Sequence, residues 1–281
     1  MIPMTDATPN YDIYQSSFHE AFRSELERLV DDLPTPHGGT VLDVPCGSGF
    51  YTRRLAQRLG AHSSLIAVDT CETYLNQTRE LLGQTRSQAT IQVRQANAYQ
   101  LPDPDATFDL VWCAQSLISL DPVRTIRELR RVTKPDGVLA ILEVDEYHHV
   151  LLGWPAELEA HLPLALHAAS VQRYGDAVKL APTRRLRRIL QQSGFDSVRR
   201  DTYTLERTAP FDPLTRTFLT RHFAYLRSLV RPQLPDDLQA VFDTMTDPDA
   251  ADSLFNLPDS ELVCIIALYL ARPSLAEVRS C

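Results

Sequence analysis

The sequence predicts an α/β fold: a doubly wound, mostly parallel sheet of about seven strands with a helical insertion near its end. Three observations predict it. Short apolar runs alternate with amphipathic helical stretches from Thr40 to Val144. The first of these runs ends in a glycine turn that opens a helix. After Asp145 the alternation stops, and a stretch rich in Pro and aromatic residues, 208–258, separates the last two strand-like runs.

Each element has a local cause. Phe18, Phe22, Leu26, Leu29 and Val30 recur at helical spacing, with Ser16 or Ser17 as N-cap and Pro34–Gly39 as terminator. Thr40–Val44 is the first strand, and Phe50–Leu59 a helix stopped by Gly60. Leu65–Val68 is the second strand, ending at Asp69, and a helix runs from Cys71 to Gln84. Ala89–Val93 and Phe108–Trp112 are strands, separated by a turn at Pro102–Asp105. Pro122 suits the first turn of a helix spanning Asp121–Val132. Lys134–Gly137 reads as a tight turn before a strand at Val138–Val144. Helices at Pro155–Val171 and Pro182–Gln192 precede a strand at Phe195–Arg207. The insertion carries helices at Leu214–Val230 and Pro235–Met245, and Glu261–Arg272 is the closing strand.

Composition narrows the function. A formal net charge of −8 over 281 residues disfavours nucleic acid and anionic membrane partners. Arg184, Arg185, Arg187 and Arg188 crowd one stretch, as a solvated helix face or a phosphate or acidic-substrate patch. The five cysteines are widely spaced with no CxxC pair, so neither a disulfide framework nor a metal site is expected. The polar start of the chain has no signal-peptide core, and the longest apolar run, Leu262–Ala271, is too short to span a bilayer. These features predict a cytoplasmic protein; oligomeric state is not legible, and a homodimer stays open.

The strongest chemical signal is Val41-Leu-Asp-Val-Pro-Cys-Gly-Ser-Gly49. Gly47 and Gly49 allow the backbone to approach a ligand where a Cβ would collide, and a helix N-terminus follows. Asp69, at the end of the second strand, can accept from both hydroxyls of a ribose or cap the next helix. Asn97 can accept from an adenine amine while the Ala98 N–H donates to a ring nitrogen; the same residues also suit a plain turn. A nicotinamide-dependent oxidoreductase shares the glycine turn and the acid. It places glycine where this chain has Thr52, and no Tyr–Lys pair of dehydrogenase type is evident.

The ordered set VLDVPCGSG, AVD, ANAYQLP, FDLVWCAQSL and LRRVTKPDGVLAILE resembles the class I S-adenosylmethionine-dependent methyltransferases over roughly residues 39–145. It is most similar to the small-molecule group that includes the enzymes of ubiquinone and menaquinone biosynthesis. The resemblance implies a Rossmann-like seven-stranded sheet with an antiparallel last strand, and S-adenosylmethionine as cofactor. It implies that Asp43, Gly47 and Gly49 flank the methionine part, that Asp69 binds the ribose hydroxyls, and that Pro45 and Thr70 belong to the same cofactor site. It also implies that Asn97 and Ala98 meet the adenine and that Ala114 and Gln115 lie beside the sulfonium. Tyr14 and Tyr11 on the N-terminal helix are candidates to cover cofactor and substrate. Pro45 stands where the family usually has Gly, and Asn97 where it often has Asp. A cyclase or other non-methylating enzyme on the same fold would carry the same cofactor motifs.

The implied organisation is an N-terminal cover (1–38), a cofactor-binding core (39–207 and 259–275) and a substrate lid (208–258). Methyl transfer from a sulfonium is an in-line displacement with a neutral leaving group, so positioning dominates and a general base serves only weak nucleophiles. His148 and His149, just past the fifth strand, are the candidates for that base, or else surface or core histidines. Tyr147, Trp154, Arg221 and His222 are candidates to contact a small-molecule substrate; Tyr147 and Trp154 equally suit simple packing.

Overall fold

The computed structural model describes residues 11–145, 147–174 and 181–274, with the side chains of all of these except 11–14, 173 and 174. The N-terminal stripe forms two helices, α1 (Tyr11–Ala21) and α2 (Arg23–Asp31), joined at Phe22. Ser16 and Ser17 lie inside α1 rather than capping it, because the helix already starts at Tyr11.

The alternating region follows in order: β1 (Thr40–Asp43), α3 (Phe50–Arg58), β2 (Ser64–Asp69), α4 (Glu72–Gly83), β3 (Thr90–Gln95), β4 (Phe108–Ala114), α5 (Pro122–Val132) and β5 (Thr133–Glu143). Then come β6 (Val150–Leu152), α6 (Ala156–Tyr174), α7 (Thr183–Gln192) and β7 (Phe195–Thr208). The chain closes with α8 (Pro213–Leu229), a 3₁₀ turn at Arg231–Gln233, α9 (Asp236–Met245) and β8 (Glu261–Pro273).

The sheet runs β3-β2-β1-β4-β5-β8, with β1 to β5 mutually parallel. Strand β8 is antiparallel to β5 on one edge and to β7 on the other, so the antiparallel last strand is as expected. The extra, eighth strand is β6, which continues beyond β5 along the same edge of β8. Its three residues are too few to leave a periodic trace in the sequence.

Lys134–Gly137 is not a turn. Helix α5 ends at Val132 and Thr133 pairs at once with Phe108; the register then jumps to Leu110 opposite Val138. The slack residues form a bulge, pinned where Lys134 Nζ donates to both oxygens of Asp109 at 2.9 and 2.8 Å.

Successive residues of the central strands face opposite cores, both buried. Leu110, Trp112 and Ala114 join the layer of α1, α2, α3 and α8. Val111 and Cys113 join the layer of α5 and α7. A third apolar cluster lies among α6, α8 and α9, built on Leu158, Leu166, Val230, Leu238 and Phe242, with Ile118, Tyr147 and Trp154 packed against it. The segment 208–258 therefore shares its core with α6, an element outside the lid bounds drawn from sequence. No helix among the described residues is long and apolar enough to cross a membrane.

The bulge is testable at Gly137, where an added Cβ would meet Phe108 O at 2.9 Å, Thr133 Cγ2 at 3.0 Å and Asp109 O at 3.1 Å. Gly137→Ala should cost about 1–3 kcal/mol in urea unfolding through overpacking. Gly83→Ala, with nothing within 4 Å of the new carbon, should be neutral or stabilising. Equal losses from the two substitutions would contradict the strained bulge.

Candidate functional site

Parallel strands that end together bring the loops after β1, β2, β3, β4 and β5 to one edge of the sheet. The loop after β1 is held by β2. Cys46 N donates to Val68 O at 2.8 Å, and Gly47 N donates to Asp69 Oδ2 at 3.0 Å. Asp69 Oδ1 accepts from Cys71 N at 2.9 Å. Asp69 thus clamps the glycine loop and starts α4. Pro45 has no N–H to give, and the bonds to β2 come instead from Cys46 and Gly47.

Gly47 has φ +52°, and an added Cβ would meet nothing within 4 Å, so its backbone faces open space. Gly49, at φ +88°, is needed for packing: a Cβ there would strike Thr78 Oγ1 at 2.9 Å and Thr78 Cα at 3.1 Å. Thr78 Oγ1 in turn donates to Gly47 O at 2.9 Å.

Asp43, at the end of β1, is 2% exposed and accepts from Thr52 Oγ1 at 2.6 Å. Burial pushes its carboxyl up to about 7, against the Thr52 hydrogen bond and helped by the charge of Asp69. Thr52, where a dinucleotide fingerprint would have glycine, is therefore a side-chain partner of Asp43 on α3. After β2, the Thr70 carbonyl accepts from Gln95 Nε2 at 2.8 Å. After β3, Asn97 is exposed and its Oδ1 accepts from Tyr99 N at 2.9 Å, the turn role, while Ala98 is buried beside it.

Ala114 closes β4 in the buried layer, and Gln115 follows in a left-handed conformation, φ +49°, with its N–H donating to Leu142 O at 2.7 Å. Its Oε1 is a hub. It accepts from His19 Nε2 at 2.7 Å, Tyr51 Oη at 3.1 Å and Gln15 Nε2 at 3.4 Å. One side-chain oxygen thus joins α1, α3 and the end of β4. His19 stacks on Phe50 at 4.2 Å, and burial drives its ring down to about 4, so it is neutral at pH 7. Glu143, at the end of β5, accepts through Oε1 from Ser116 N at 2.7 Å and Leu117 N at 2.6 Å. Burial pushes this carboxyl up to about 7.

The neighbouring histidines part company. His149 is buried, its Nδ1–H donates to Ile265 O at 3.2 Å, and Phe18 meets it edge-on at 5.1 Å. Burial lowers it to about 4. His148 turns outward, 59% exposed, towards Asp145 at 3.7 Å and Arg184 at 3.2 Å. On α8, His222 is buried against Phe218 at 5.8 Å and is lowered to about 3, by burial first and then by His149, whereas Arg221 is exposed. Trp154 stacks on Phe242 at 5.8 Å, and Tyr147 Oη lies 3.0 Å from His167 Nδ1 with Arg184 over its ring. The backbone of Tyr11 and Tyr14 lies in α1; their side chains are outside the described residues. No group of three or more metal-ligating side chains converges among the described residues.

Residues 42–141 match a methyltransferase domain family. A demethylmenaquinone methyltransferase of Lactobacillus johnsonii is 31% identical over 180 residues, covering 61% of this chain and 74% of the relative. That of Lactiplantibacillus plantarum is 30% identical over 203 residues, covering 68% and 84%. The chain belongs to the class I S-adenosylmethionine-dependent methyltransferases. YcgJ of Bacillus subtilis shares the fold, with a TM-score of 0.58 at 15% identity, covering 89% of this chain and 99% of that one.

In this methyltransferase several site residues escaped sequence reasoning. Thr78 and Tyr51 sit on helix faces with no pattern to single them out, and Thr52 was legible as a missing glycine but not as the partner of Asp43. His19 hides beside the apolar stripe of α1. Glu143 did leave a signal, a lone acid at the end of a buried apolar run.

The buried histidines set a pH dependence. Their folded values, about 4, 4 and 3, lie below the ordinary 6.5, so stability is full above 6.5 and is lost as pH falls towards 4. Asp43 and Glu143, raised to about 7, act oppositely, and the stability they give at low pH is lost as pH rises towards 7. His19→Gln keeps an amide donor to Gln115 without the titration. Thermal melts of the methyltransferase should fall further between pH 6.5 and 4 than those of the variant. Parallel curves would contradict a neutral, buried His19.

Proposed function

We propose that this methyltransferase moves a methyl group from S-adenosylmethionine to a small aromatic acceptor bearing hydroxyls, of quinol type. The observation that carries the reading is the Asp69 clamp: a carboxylate at the end of β2 that holds, and sits beside, a glycine loop whose backbone faces open space. A carboxylate at this place can accept from the hydroxyls of a ribose. The acceptor class is supported by the names of the two demethylmenaquinone methyltransferases to which the chain is similar.

In this reading Gly47 and Gly49 give the methionine part room, and Asp43 and Pro45 shape the wall behind it. Thr70 borders the ribose, and Asn97 and Ala98 meet the adenine, with the Ala98 N–H as donor. Ala114 and Gln115 flank the sulfur. When bound, the cofactor supplies an electrophilic methyl on a sulfonium. The chain's own residues exclude water and aim the nucleophile. Helix α1, latched through His19 to Gln115, is the cover, and Tyr14 and Tyr11 belong to it. Residues 208–258, packed against α6, form the substrate lid over the core of 39–207 and 259–275.

His149 is the proton acceptor of the pair. Its Nδ1–H is committed to Ile265 O, which leaves Nε2 as the lone-pair nitrogen for an acceptor hydroxyl. Residue Ile265 follows the Val150–Cys264 pairing and lies two residues from Ala267, the partner of Glu143, so His149 stands just beyond the strand ends. His148 serves the surface. His222, Trp154 and Tyr147 line the apolar side of the acceptor site, and Arg221 stays at its rim.

Calorimetric titration tests the cofactor reading. S-adenosylmethionine should bind and NADH should not, and Asp69→Ala should weaken binding about tenfold or more, the scale of hydrogen bonds to a charged group. Incubation with reduced demethylmenaquinone should then yield a singly methylated product by mass spectrometry. Binding of NADH alone would point to a dinucleotide enzyme; cofactor binding without methylated product would sink the acceptor class.

A further inference from the structure

Helix α6 is apolar on two faces. Leu158, Leu162, Ala165 and Leu166 pack in the cluster shared with α8 and α9. Ala160, Leu164, His167, Ala168 and Val171 are all exposed, and at helical spacing they fall on one outer stripe. The run from Ala160 to Val171 holds no Asp, Glu, Lys or Arg. Leu164 is 68% and Val171 43% exposed. The other large hydrophobics left exposed among the described residues, Val123, Leu214 and Val241, are spread one each over α5, α8 and α9. A surface helix ordinarily turns polar residues outward, as α8 does with Thr217, Thr220, Arg221 and Ser228. Helix α6 instead leaves an apolar stripe to water.

Arginines flank that stripe. Helix α7 carries four of them and no acid. Arg184, in its first turn, joins the two helices. Its guanidinium lies over the Tyr147 ring at 5.1 Å, and Tyr147 Oη is 3.0 Å from Nδ1 of His167, a member of the stripe. Arg184 pairs with Asp145 at 2.7 Å, and Arg187 donates to Val198 O at 2.6 Å. Arg185 and Arg188 are exposed, and among the described residues no carboxylate pairs with either. An apolar stripe, a tyrosine–histidine seam and a row of arginines thus adjoin in one surface.

We propose that the α6 stripe and the α7 arginines form a docking surface for an anionic lipid bilayer, with α6 lying in the plane of the membrane interface. The order of groups matches the depth profile of a bilayer: apolar side chains for the acyl region, a tyrosine for the headgroup level, arginines for the lipid phosphates. An uncharged helical run of this length is too short to span a membrane and suits its surface. A second copy of this chain fits less well, because five residues on one stripe fall short of the about 20–30 residues a side of a stable protein interface. Docking holds the lid side of the enzyme at the bilayer, whichever acceptor is methylated.

The net charge of −8 opposes an anionic surface when the chain is taken whole. Screening over about 8 Å at physiological ionic strength leaves the nearest groups to decide the sign. Asp145 is already held by Arg184. Glu157, in the first turn of α6, continues the line of the stripe at its N-terminal end and marks where the docking surface stops. The acids elsewhere then orient the molecule, turning the α6–α7 side to the membrane.

The test is flotation of the full chain with vesicles of phosphatidylcholine alone and of phosphatidylcholine mixed with phosphatidylglycerol. The wild type should float with the mixed vesicles, far less with the neutral ones, and should be released by salt. Arg185→Gln combined with Arg188→Gln should weaken binding about twentyfold, on the scale of fivefold for each arginine at an anionic surface. Leu164→Asn should weaken it about tenfold or more. Leu214→Asn, equally exposed but at the start of α8, should stay within about twofold of the wild type. These positions are all exposed, and thermal melts confirm that each variant folds. A wild type that ignores mixed vesicles, or binding that Leu164→Asn and the arginine pair leave unchanged, overturns the proposal. So does equal loss from Leu214→Asn. A wild type that binds no vesicles, forms a dimer in sedimentation equilibrium and becomes monomeric with Leu164→Asn assigns the stripe to a second copy and also overturns it. None of these readouts depends on methyl transfer, so their failure is distinct from failure of the cofactor reading.

Discussion

Asp69 holds the site together. One oxygen takes the Gly47 N–H and the other the Cys71 N–H, so a single carboxylate fixes the loop after β1 against the start of α4. The bond is short because β1 and β2 are parallel and in register from Thr40–Ser64 to Asp43–Ala67, so the two strands end side by side. Gly47 then turns with positive φ into open space, Gly49 lets Thr78 close behind the loop, and α3 starts with its N-terminus at the same edge. Without the clamp, the loop amides would have to find water, and the open face of Gly47 would have no fixed direction.

Around that clamp the protein tolerates charges and imidazoles that a purely structural core would avoid. Asp43, Glu143, His19, His149 and His222 are all buried, and each is shifted towards its neutral form mainly by burial. The histidines lie on or against α1 and α8, and the two acids close β1 and β5; strand ends and their covering helices are where departures from ordinary core composition are expected to serve function. Gln115 joins α1 and α3 to the end of β4 through one oxygen.

The parts legible in sequence were those whose cause is local. A strand buried on both faces writes an apolar run, and a loop that needs positive φ writes its glycines; hence β1, β2, β4, β8 and the turn at 47–49 could be read directly. Asp121 and Pro122 marked the start of α5 by cap chemistry. What escaped depends on partners distant in sequence. The bulge at 134–137 has turn composition, but β4 across the sheet imposes strand pairing on it. Three-residue β6 exists because β8 offers an edge. His148 and His149 are identical in type and adjacent, and only the Ile265 carbonyl and the Asp145–Arg184 pair decide which turns inward. Thr52 could be read as a missing glycine, though not as the partner of Asp43.

Amide hydrogen exchange with and without S-adenosylmethionine tests the account most directly, because the clamp is made of backbone N–H groups. Exchange should slow on binding at residues 45–49, 69–72, 97–99 and 114–117, and in α1 as the cover tightens, with little change in the α5–α7 layer. Binding of S-adenosylmethionine with protection elsewhere, and none across 45–49 and 69–72, would contradict a cofactor site built on Asp69 at this edge of the sheet.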